Sequence, residues 1–256
     1  MKYYYLIYIQ YLGFRFHGWQ KQPDLKTVHH VIDRTIKYVL KEEVFKTLGS
    51  SRTDARVSAN ESAFELFVKN PIDMEAFLEE FNTYLPADVK AVKIKEVDAS
   101  FNIIQSPKLK QYQYLFAFGE KYHPFAASLM CLLAEDLDVE LMKEGALLFE
   151  GKHNFKRYCA KPSPGTNFQR EVLVSRIEEN TEYQANFFPK KSYCYRVEGK
   201  GFMRYQIRLM MGELIELGRG NTTLEKIAAS LENPDGKVVS YIASASGLIL
   251  NKLSFE

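Results

Sequence analysis

Alternation between strand and helix patterns constrains the first hundred residues more than any other feature of this chain. Apolar residues recur at helical spacing over residues 28–40, and a second helix begins near Asp73 as its N-cap. Strand patterns surround the two helices at residues 3–10, 44–48, 64–68 and 92–95. The resulting order, β-α-β-β-α-β, predicts a split βαβ, or ferredoxin-like, unit.

The second half repeats this order with longer insertions. A strand is predicted at residues 112–118, a helix at 138–149, strands near Val172 and at 193–197, a helical stripe at 203–217, a capping box at Thr222-x-x-Glu225 and a last strand at 248–255. We therefore expect an α+β fold of two ferredoxin-like halves, each an antiparallel sheet flanked by helices. The expected boundary gives subdomains of residues 1–105 and 106–256.

Composition bounds the kind of protein without fixing its function. Of the 256 residues, 46% are hydrophobic and 26% charged, as in ordinary soluble globular domains, and the net charge is only +2. A nucleic-acid surface would therefore need local segregation of cations. The three cysteines, Cys131, Cys159 and Cys194, lie far apart, which favours reduced thiols in a cytoplasm and argues against zinc or disulfides. The five histidines lack metal-ligand spacing, and neither a signal peptide nor a membrane span is predicted.

The run Gly-Ser-Ser-Arg-Thr-Asp-Ala-Arg-Val-Ser-Ala, from Gly49 to Ala59, is the strongest candidate for a functional loop. Small hydroxylated residues and glycine favour a loop because they compete for backbone hydrogen bonds and tolerate unusual dihedral angles. The run sets one carboxylate, Asp54, between Arg52 and Arg56. On this pattern alone, the favoured interpretation is an ordinary turn in which Asp54 bonds its own backbone and solvated arginines flank it.

The run Ser-Arg-Thr-Asp-Ala-x-Val-x-Ala resembles the catalytic loop of the TruA family of tRNA pseudouridine synthases. Further segments match that family in the same order over nearly the whole chain. They are Tyr11, Gly13, Phe16-His17-Gly18-Trp19-Gln20 and Thr27-Val28; Lys110-x-Tyr112-x-Tyr114; Phe149-x-Gly151-x-His153-Asn154-Phe155; Gly201-Phe202-Met203 with Ile207, Arg208 and Gly212; and Gly247-Leu248-x-Leu250. Several ordered segments are far more specific than one.

This resemblance implies an enzyme that converts uridine to pseudouridine in tRNA, at positions 38–40 of the anticodon stem-loop. It implies that no cofactor is needed, that the protein is a cytoplasmic homodimer, and that the two halves form a central cleft for RNA. The alternative is a paralogue that binds RNA but has lost turnover. A ferredoxin-like protein unrelated to RNA is a more distant possibility, since this fold hosts many activities.

The resemblance also assigns roles to residues. Asp54 is the catalytic carboxylate, a nucleophile or the acceptor of a sugar proton, and Arg208 pairs with it. Arg52 helps to open the RNA, and Tyr112 receives the base. Further RNA contacts are expected from Arg56, Lys110, His17 and Gln20. From the residues alone, Arg208 fits equally well at the edge of a polar helix face beside Arg204, and an aromatic stripe such as the one at residues 112–118 is more often core.

The chain departs from the family pattern near its candidate nucleophile. Arg56 stands where the family usually has glycine, Ser58 where it has histidine and Ser51 where it has glycine, and Phe101-Asn102-Ile103-Ile104 replaces the common Phe-His-Ala-Arg. If the usual glycine has a positive φ, Arg56 costs on the order of 1 kcal/mol at that position. We expect these changes to affect substrate preference, since the candidate nucleophile itself is present.

Overall fold

The computed structural model describes residues 2–41, 44–106, 109–233 and 235–255. Two compact units make up the chain. The first contains Met1–Lys108 together with Ile249–Glu256, and the second contains Leu109–Leu248. The expected α+β fold class is confirmed, because both units combine a mainly antiparallel sheet with helices. None of the helices in the described residues combines the length and the apolar character needed to cross a membrane.

The first unit has the predicted β-α-β-β-α-β order. Its elements are β1 (Tyr3–Tyr11), α1 (Val28–Leu40), β2 (Lys46–Gly49), β3 (Ser58–Val68), α2 (Met74–Tyr84) and β4 (Val89–Glu96). Both β1 and β2 pair antiparallel with β3, and β4 pairs antiparallel with β1. This places β3 between two strands that run in the same direction, which defines the split βαβ unit.

The two helices of the first unit begin at side-chain caps. Thr27 accepts a hydrogen bond from the backbone N–H of His30 at the start of α1, and Asp73 accepts two at the start of α2. The apolar face of α1 is buried through Val28, Ile32, Ile36 and Val39. Helical spacing of apolar residues therefore predicted the bounds of α1 correctly, because one face of the helix lies in the core.

The second unit contains more elements than the sequence predicted. They are β5 (Leu109–Phe118), β6 (Cys131–Leu133), α3 (Val139–Leu147), β7 (Gly151–Asn154), β8 (Gln169–Glu179), β9 (Tyr193–Gly199), α4 (Gln206–Gly218) and α5 (Leu224–Glu232). The antiparallel strands follow the order β5-β9-β8-β7, and β6 pairs in parallel with β5. The short strands β6 and β7 were not predicted because three or four residues show no readable alternation.

The last strand departs from the expected domain boundaries. Strand β10 (Leu248–Ser254) pairs in parallel with β3, through Ile249 opposite Ser58 and Leu250 opposite Ala59. The backbone N–H of Leu253 donates to a carboxylate oxygen of Glu61 at 3.0 Å. Residues 249–256 therefore belong to the first unit. The sequence predicted them in the second subdomain, residues 106–256. Sequence patterns identify a strand but not its partner.

The capping box predicted at Thr222 is wrong by one residue. Thr223 is the N-cap of α5, and its hydroxyl accepts from the backbone N–H of Lys226. The hydroxyl of Thr222 instead donates to Glu213 at 3.3 Å. Two adjacent threonines offer the same capping chemistry, and the contact with Glu213 on α4 is a tertiary one that local sequence does not show.

The side chain of Trp19 connects the loop after β1 to the first unit's core. Its indole is 2% exposed and stacks on the His29 ring at a centroid distance of 5.5 Å. A Cβ atom at Gly49 would come within 2.4 Å of the indole, so the glycine makes room for it. The imidazole of His29 shares a 2.7 Å hydrogen bond with Thr47, and burial lowers the pKa of His29 although Asp33 opposes the shift.

Candidate active site

The loop between β2 and β3 carries the candidate nucleophile. Its hydroxyl residues Ser50, Ser51 and Thr53 are buried, Asp54 is half-buried, and the flanking Arg52 and Arg56 are exposed. The loop is therefore packed on its hydroxyl side while its charged residues remain accessible. Such an arrangement suits a site that must receive a charged ligand.

Hydrogen bonds hold this loop against the segment that follows β1. The Trp19 N–H donates to the carbonyl oxygen of Thr53 at 3.0 Å, and the Arg56 N–H donates to that of Phe16 at 3.0 Å. The Gly13 N–H donates to the hydroxyl oxygen of Ser58 at 2.9 Å. We call this contact between residues 13–19 and 53–58 the loop seam. It fixes the backbone on both sides of Asp54.

Two glycines allow the backbones to approach so closely at the loop seam. A Cβ atom at Gly13 would lie 2.0 Å from the carbonyl oxygen of Val57, closer than any real contact. Gly18 has a φ of +87°, and a Cβ there would lie 2.8 Å from the carbonyl oxygen of Thr53. Side chains at these two positions would separate the two segments.

A buried tyrosine supports the loop from the strand side. The hydroxyl of Tyr11 lies 2.9 Å from the Thr53 hydroxyl. Burial raises the pKa of Tyr11 to about 12, so its phenol stays neutral and hydrogen-bonded at physiological pH. Sequence analysis matched Tyr11 to a family motif but gave neither it nor Thr53 a role, because their contact joins residues 42 positions apart.

Arg56 has the left-handed backbone conformation that its position in the family pattern indicated. Its φ is +68°, and the guanidinium carbon lies 5.5 Å from the centroid of the Phe14 ring. A non-glycine residue in this region is strained by about 1 kcal/mol or more. The chain therefore retains a strained, exposed cation two residues from Asp54.

His17 and Gln20, both expected to contact RNA, are exposed beside the loop seam, whereas Gly18 and Trp19 between them are buried. The backbone N–H of His17 donates to the carbonyl oxygen of Lys26 at 2.9 Å. This geometry leaves the two exposed side chains next to the Asp54 loop. It assigns Trp19 to the core.

Tyr112 and Lys110 lie near the start of β5 in the second unit. The Tyr112 ring is half-buried and meets the Phe202 ring edge-on at a centroid distance of 5.5 Å. Tyr114 and Phe116, further along the same strand face, are fully buried. The strand therefore passes from a half-buried start into the core, and Phe118 at its far end is half-buried again. Burial lowers the pKa of Lys110 at the start of the strand.

Arg208 lies on α4 and is half-buried. Its Nε donates to the carbonyl oxygen of Ala243 at 2.9 Å, and the Ala243 N–H donates to the Arg208 carbonyl oxygen at 3.1 Å. The guanidinium carbon also lies 4.9 Å from the centroid of the Tyr205 ring. These contacts fix the orientation of the guanidinium plane. Tyr205 is the N-cap residue of the same helix, whereas Ala243 lies 35 positions away, where no local pattern connects it to Arg208.

The segment that accepts the Arg208 hydrogen bond is itself held in place. A Cβ atom at Gly212 would lie 2.0 Å from the carbonyl oxygen of Tyr241, so this glycine lets the segment run directly against α4. The hydroxyl of Tyr114 donates to the carbonyl oxygen of Ser244 at 2.7 Å. Gly212 and Tyr114, which both match family motifs, thus position the segment whose Ala243 carbonyl oxygen binds Arg208.

The expected site residues therefore form two groups. The first unit brings together Arg52, Asp54, Arg56, His17 and Gln20 around the loop seam, and the second unit carries Lys110, Tyr112 and Arg208. The pairing of Asp54 with Arg208 remains a prediction. Across residues 2–41, 44–106, 109–233 and 235–255, no group of three or more His, Cys, Asp or Glu residues could hold a metal ion.

Sequence comparison relates the chain to known enzymes. Residues 146–256 match the family described as tRNA pseudouridine synthase. The chain is 30% identical over 247 residues to tRNA pseudouridine synthase A of Clostridium botulinum (strain Eklund 17B / Type B), covering 96% of this chain and 97% of that protein. The protein of the same name from Pelobacter propionicus gives the same identity and coverage, and that from Thermodesulfovibrio yellowstonii is 27% identical over 253 residues, also covering 96% and 97%.

These matches define the class of protein as pseudouridine synthases. The chain belongs to the tRNA pseudouridine synthase A family, as the resemblance of its motifs indicated.

Replacing Arg56 by glycine should stabilise the fold relative to replacing it by alanine. Both changes remove the guanidinium, but only glycine adopts a φ of +68° without strain. We expect the glycine variant to be more stable than Arg56→Ala by about 1 kcal/mol in free energy of unfolding, measured by chemical denaturation. Equal stability of the two variants would show that the loop has reshaped and that position 56 carries no strain.

Proposed function

We propose that this chain isomerises uridine to pseudouridine in the anticodon stem-loop of tRNA. The observation that carries the proposal is the 30% identity over 96% of the chain to an enzyme named for this reaction. The accessible Asp54 loop supports it locally. We further propose that the enzyme acts in the cytoplasm as a homodimer.

The reaction rearranges atoms without a net gain or loss. The bond between ribose C1′ and uracil N1 breaks, the freed base rotates, and C5 forms a new bond to C1′. C5 then loses its proton and N1 gains one, so no oxidant, reductant or cofactor is consumed. The chemistry needs an ionised carboxylate near C1′, which either attacks that carbon or accepts a proton from the sugar.

Asp54 supplies this carboxylate. Its backbone is fixed by the loop seam, and a fixed nucleophile avoids the entropic cost of finding the reactive geometry. A carboxylate in a pocket closed by RNA loses its hydration, which raises its pKa unless a cation lies close by. We propose that Arg208 is that cation, since the Ala243 carbonyl and the Tyr205 ring already fix its guanidinium orientation.

Tyr112 and Arg52 would handle the extruded nucleotide. Taking a base out of its stack costs a few kcal/mol, and an aromatic face that receives the base returns ~1–3 kcal/mol. Tyr112 is half-buried at the start of its strand face, where the next two aromatic residues, Tyr114 and Phe116, are buried, and the exposed Arg52 lies two residues from Asp54. Arg56, Lys110, His17 and Gln20 would contact the surrounding RNA backbone, so affinity should fall as salt rises.

Replacing Asp54 by asparagine should abolish pseudouridine formation while leaving the fold and the affinity for tRNA near wild type. The change removes the ionised group but little volume. Asp98→Asn, which removes the charge of an exposed aspartate elsewhere in the first unit, is the matched control and should keep full activity. Pseudouridine in tRNA is quantified by mass spectrometry of nucleosides.

Activity of the Asp54→Asn variant within tenfold of wild type would remove Asp54 from the mechanism. Tight tRNA binding by the wild-type protein with no turnover on any tRNA would instead identify the RNA-binding paralogue.

Substitutions at Tyr112 should separate stacking from the hydroxyl group. We expect Tyr112→Phe to retain most RNA affinity and lose only what the hydroxyl contributes, such as proton transfer at C5. Tyr112→Leu should weaken binding as well, because it removes the aromatic face. Tyr3→Leu, at a half-buried strand tyrosine of the first unit, controls for loss of a ring. Equal kcat and KM for Tyr112→Leu and wild type would place the uracil on another residue.

A further inference from the structure

A groove of the first unit lies between α1 and α2. It has a volume of about 820 Å³ and is open to solvent. Its described lining combines cations and aromatic rings with a carboxylate, and includes Arg34, Lys37, Tyr38, Lys41, Tyr84 and Glu80. None of these residues belongs to the Asp54 loop or to a family motif.

The cations of the groove differ from others in the same unit. Arg15 pairs with Asp88 at 2.7 Å, and Lys21 pairs with Asp33. Within the described residues, Arg34, Lys37 and Lys41 have no carboxylate oxygen within 4 Å, although Glu80 lines the same groove. Among the described residues these three cations therefore form no ion pair, and their positive charge complements an anionic ligand.

The aromatic residues of the groove are unusually exposed. Tyr38 is 60% exposed and Tyr84 is 47% exposed, and their rings meet edge-on at a centroid distance of 4.5 Å. The helix dipole stabilises cations near the carboxyl end of α1, so it explains their position without a ligand. It does not explain why two aromatic rings beside them are exposed. Proteins bind unpaired nucleotides by combining aromatic faces, on which the bases stack, with cations that contact the phosphates.

The position of the groove connects it to the candidate active site. Helix α1 begins beside the loop seam, where the Val28 N–H donates to the carbonyl oxygen of Gly18 at 3.1 Å. Tyr38 lies ten residues further along, which corresponds to about 15 Å at 1.5 Å per residue. A strand of a nucleic-acid helix carries a phosphate about every 3.4 Å, so an RNA bound at the Asp54 loop has to continue at least four or five phosphates beyond its target nucleotide to reach the groove.

We propose that this α1–α2 groove is a second RNA-binding site for the same tRNA. It holds phosphates through Arg34, Lys37 and Lys41 and stacks an unpaired base on the Tyr38–Tyr84 pair, at a part of the tRNA outside the anticodon arm. The proposal rests on tRNA being the substrate. Through this groove the enzyme distinguishes a whole tRNA from an isolated stem-loop.

Two variants of the full chain test the groove. Lys37→Glu reverses one of its charges, and Tyr38→Ala removes one of its aromatic faces. Lys90→Glu, at an exposed lysine of β4 outside the groove, is the matched charge control. Each protein is assayed with an intact tRNA and with the isolated anticodon stem-loop, and the dissociation constant for intact tRNA is measured separately by filter binding.

We expect both groove variants to raise KM and the dissociation constant for intact tRNA about tenfold, with kcat unchanged. The isolated stem-loop should be processed as by wild type, and Lys37→Glu should flatten the salt dependence of tRNA binding by about one unit of slope or more. The Lys90→Glu control should behave as wild type with both RNAs.

The groove proposal would be overturned if the groove variants lost activity equally with both RNAs, or if neither RNA showed a change. It would also be overturned by a changed sedimentation coefficient of the variants, which would identify the groove as an interface between protein copies. The filter-binding measurement tests the groove independently of pseudouridine formation. A wild-type protein that binds tRNA without forming pseudouridine would refute the proposed function, and the dissociation constants of the variants would still decide the groove.

Discussion

The close approach of two backbones at the loop seam is the constraint on which the candidate site depends. Residues 13–19 lie against residues 53–58 at distances that only glycine permits at positions 13 and 18. Three backbone N–H groups find hydrogen-bond acceptors across this seam, which offsets the loss of their contacts with water. The β3 strand begins directly after it, and α1 begins at its other side. Asp54 is thus carried on a loop, yet it is fixed by the sheet and by a helix start.

The same design recurs in the second unit, around Arg208. A glycine on α4 lets a distant segment approach, and the carbonyl oxygen of Ala243 orients the guanidinium. In both units backbone groups contribute to holding the residue that carries charge. Backbone groups do not titrate, so this part of the support does not change with pH.

The sequence predicted the features that are local in the chain. Periodicity gave the bounds of α1, and the β-α-β-β-α-β order gave the topology of the first unit, because apolar spacing directly reflects which face is buried. Contacts over long sequence separations were not predictable. The pairing of β10 with β3, the choice of Thr223 over Thr222 as a cap, and the Ala243 anchor of Arg208 all depend on tertiary packing. The Asp54 loop was found by resemblance, since its composition alone favours an ordinary turn.

A crystal structure of the Asp54→Asn variant bound to an anticodon stem-loop would show which carboxylate position meets the target nucleotide. We expect the target uridine to be extruded from the RNA, with C1′ about 3–3.5 Å from the side chain at position 54. We also expect the Arg208 guanidinium to contact that side chain and the uracil to face Tyr112. A uridine that remains stacked, or a C1′ atom approached by a different carboxylate, would refute the proposed role of Asp54.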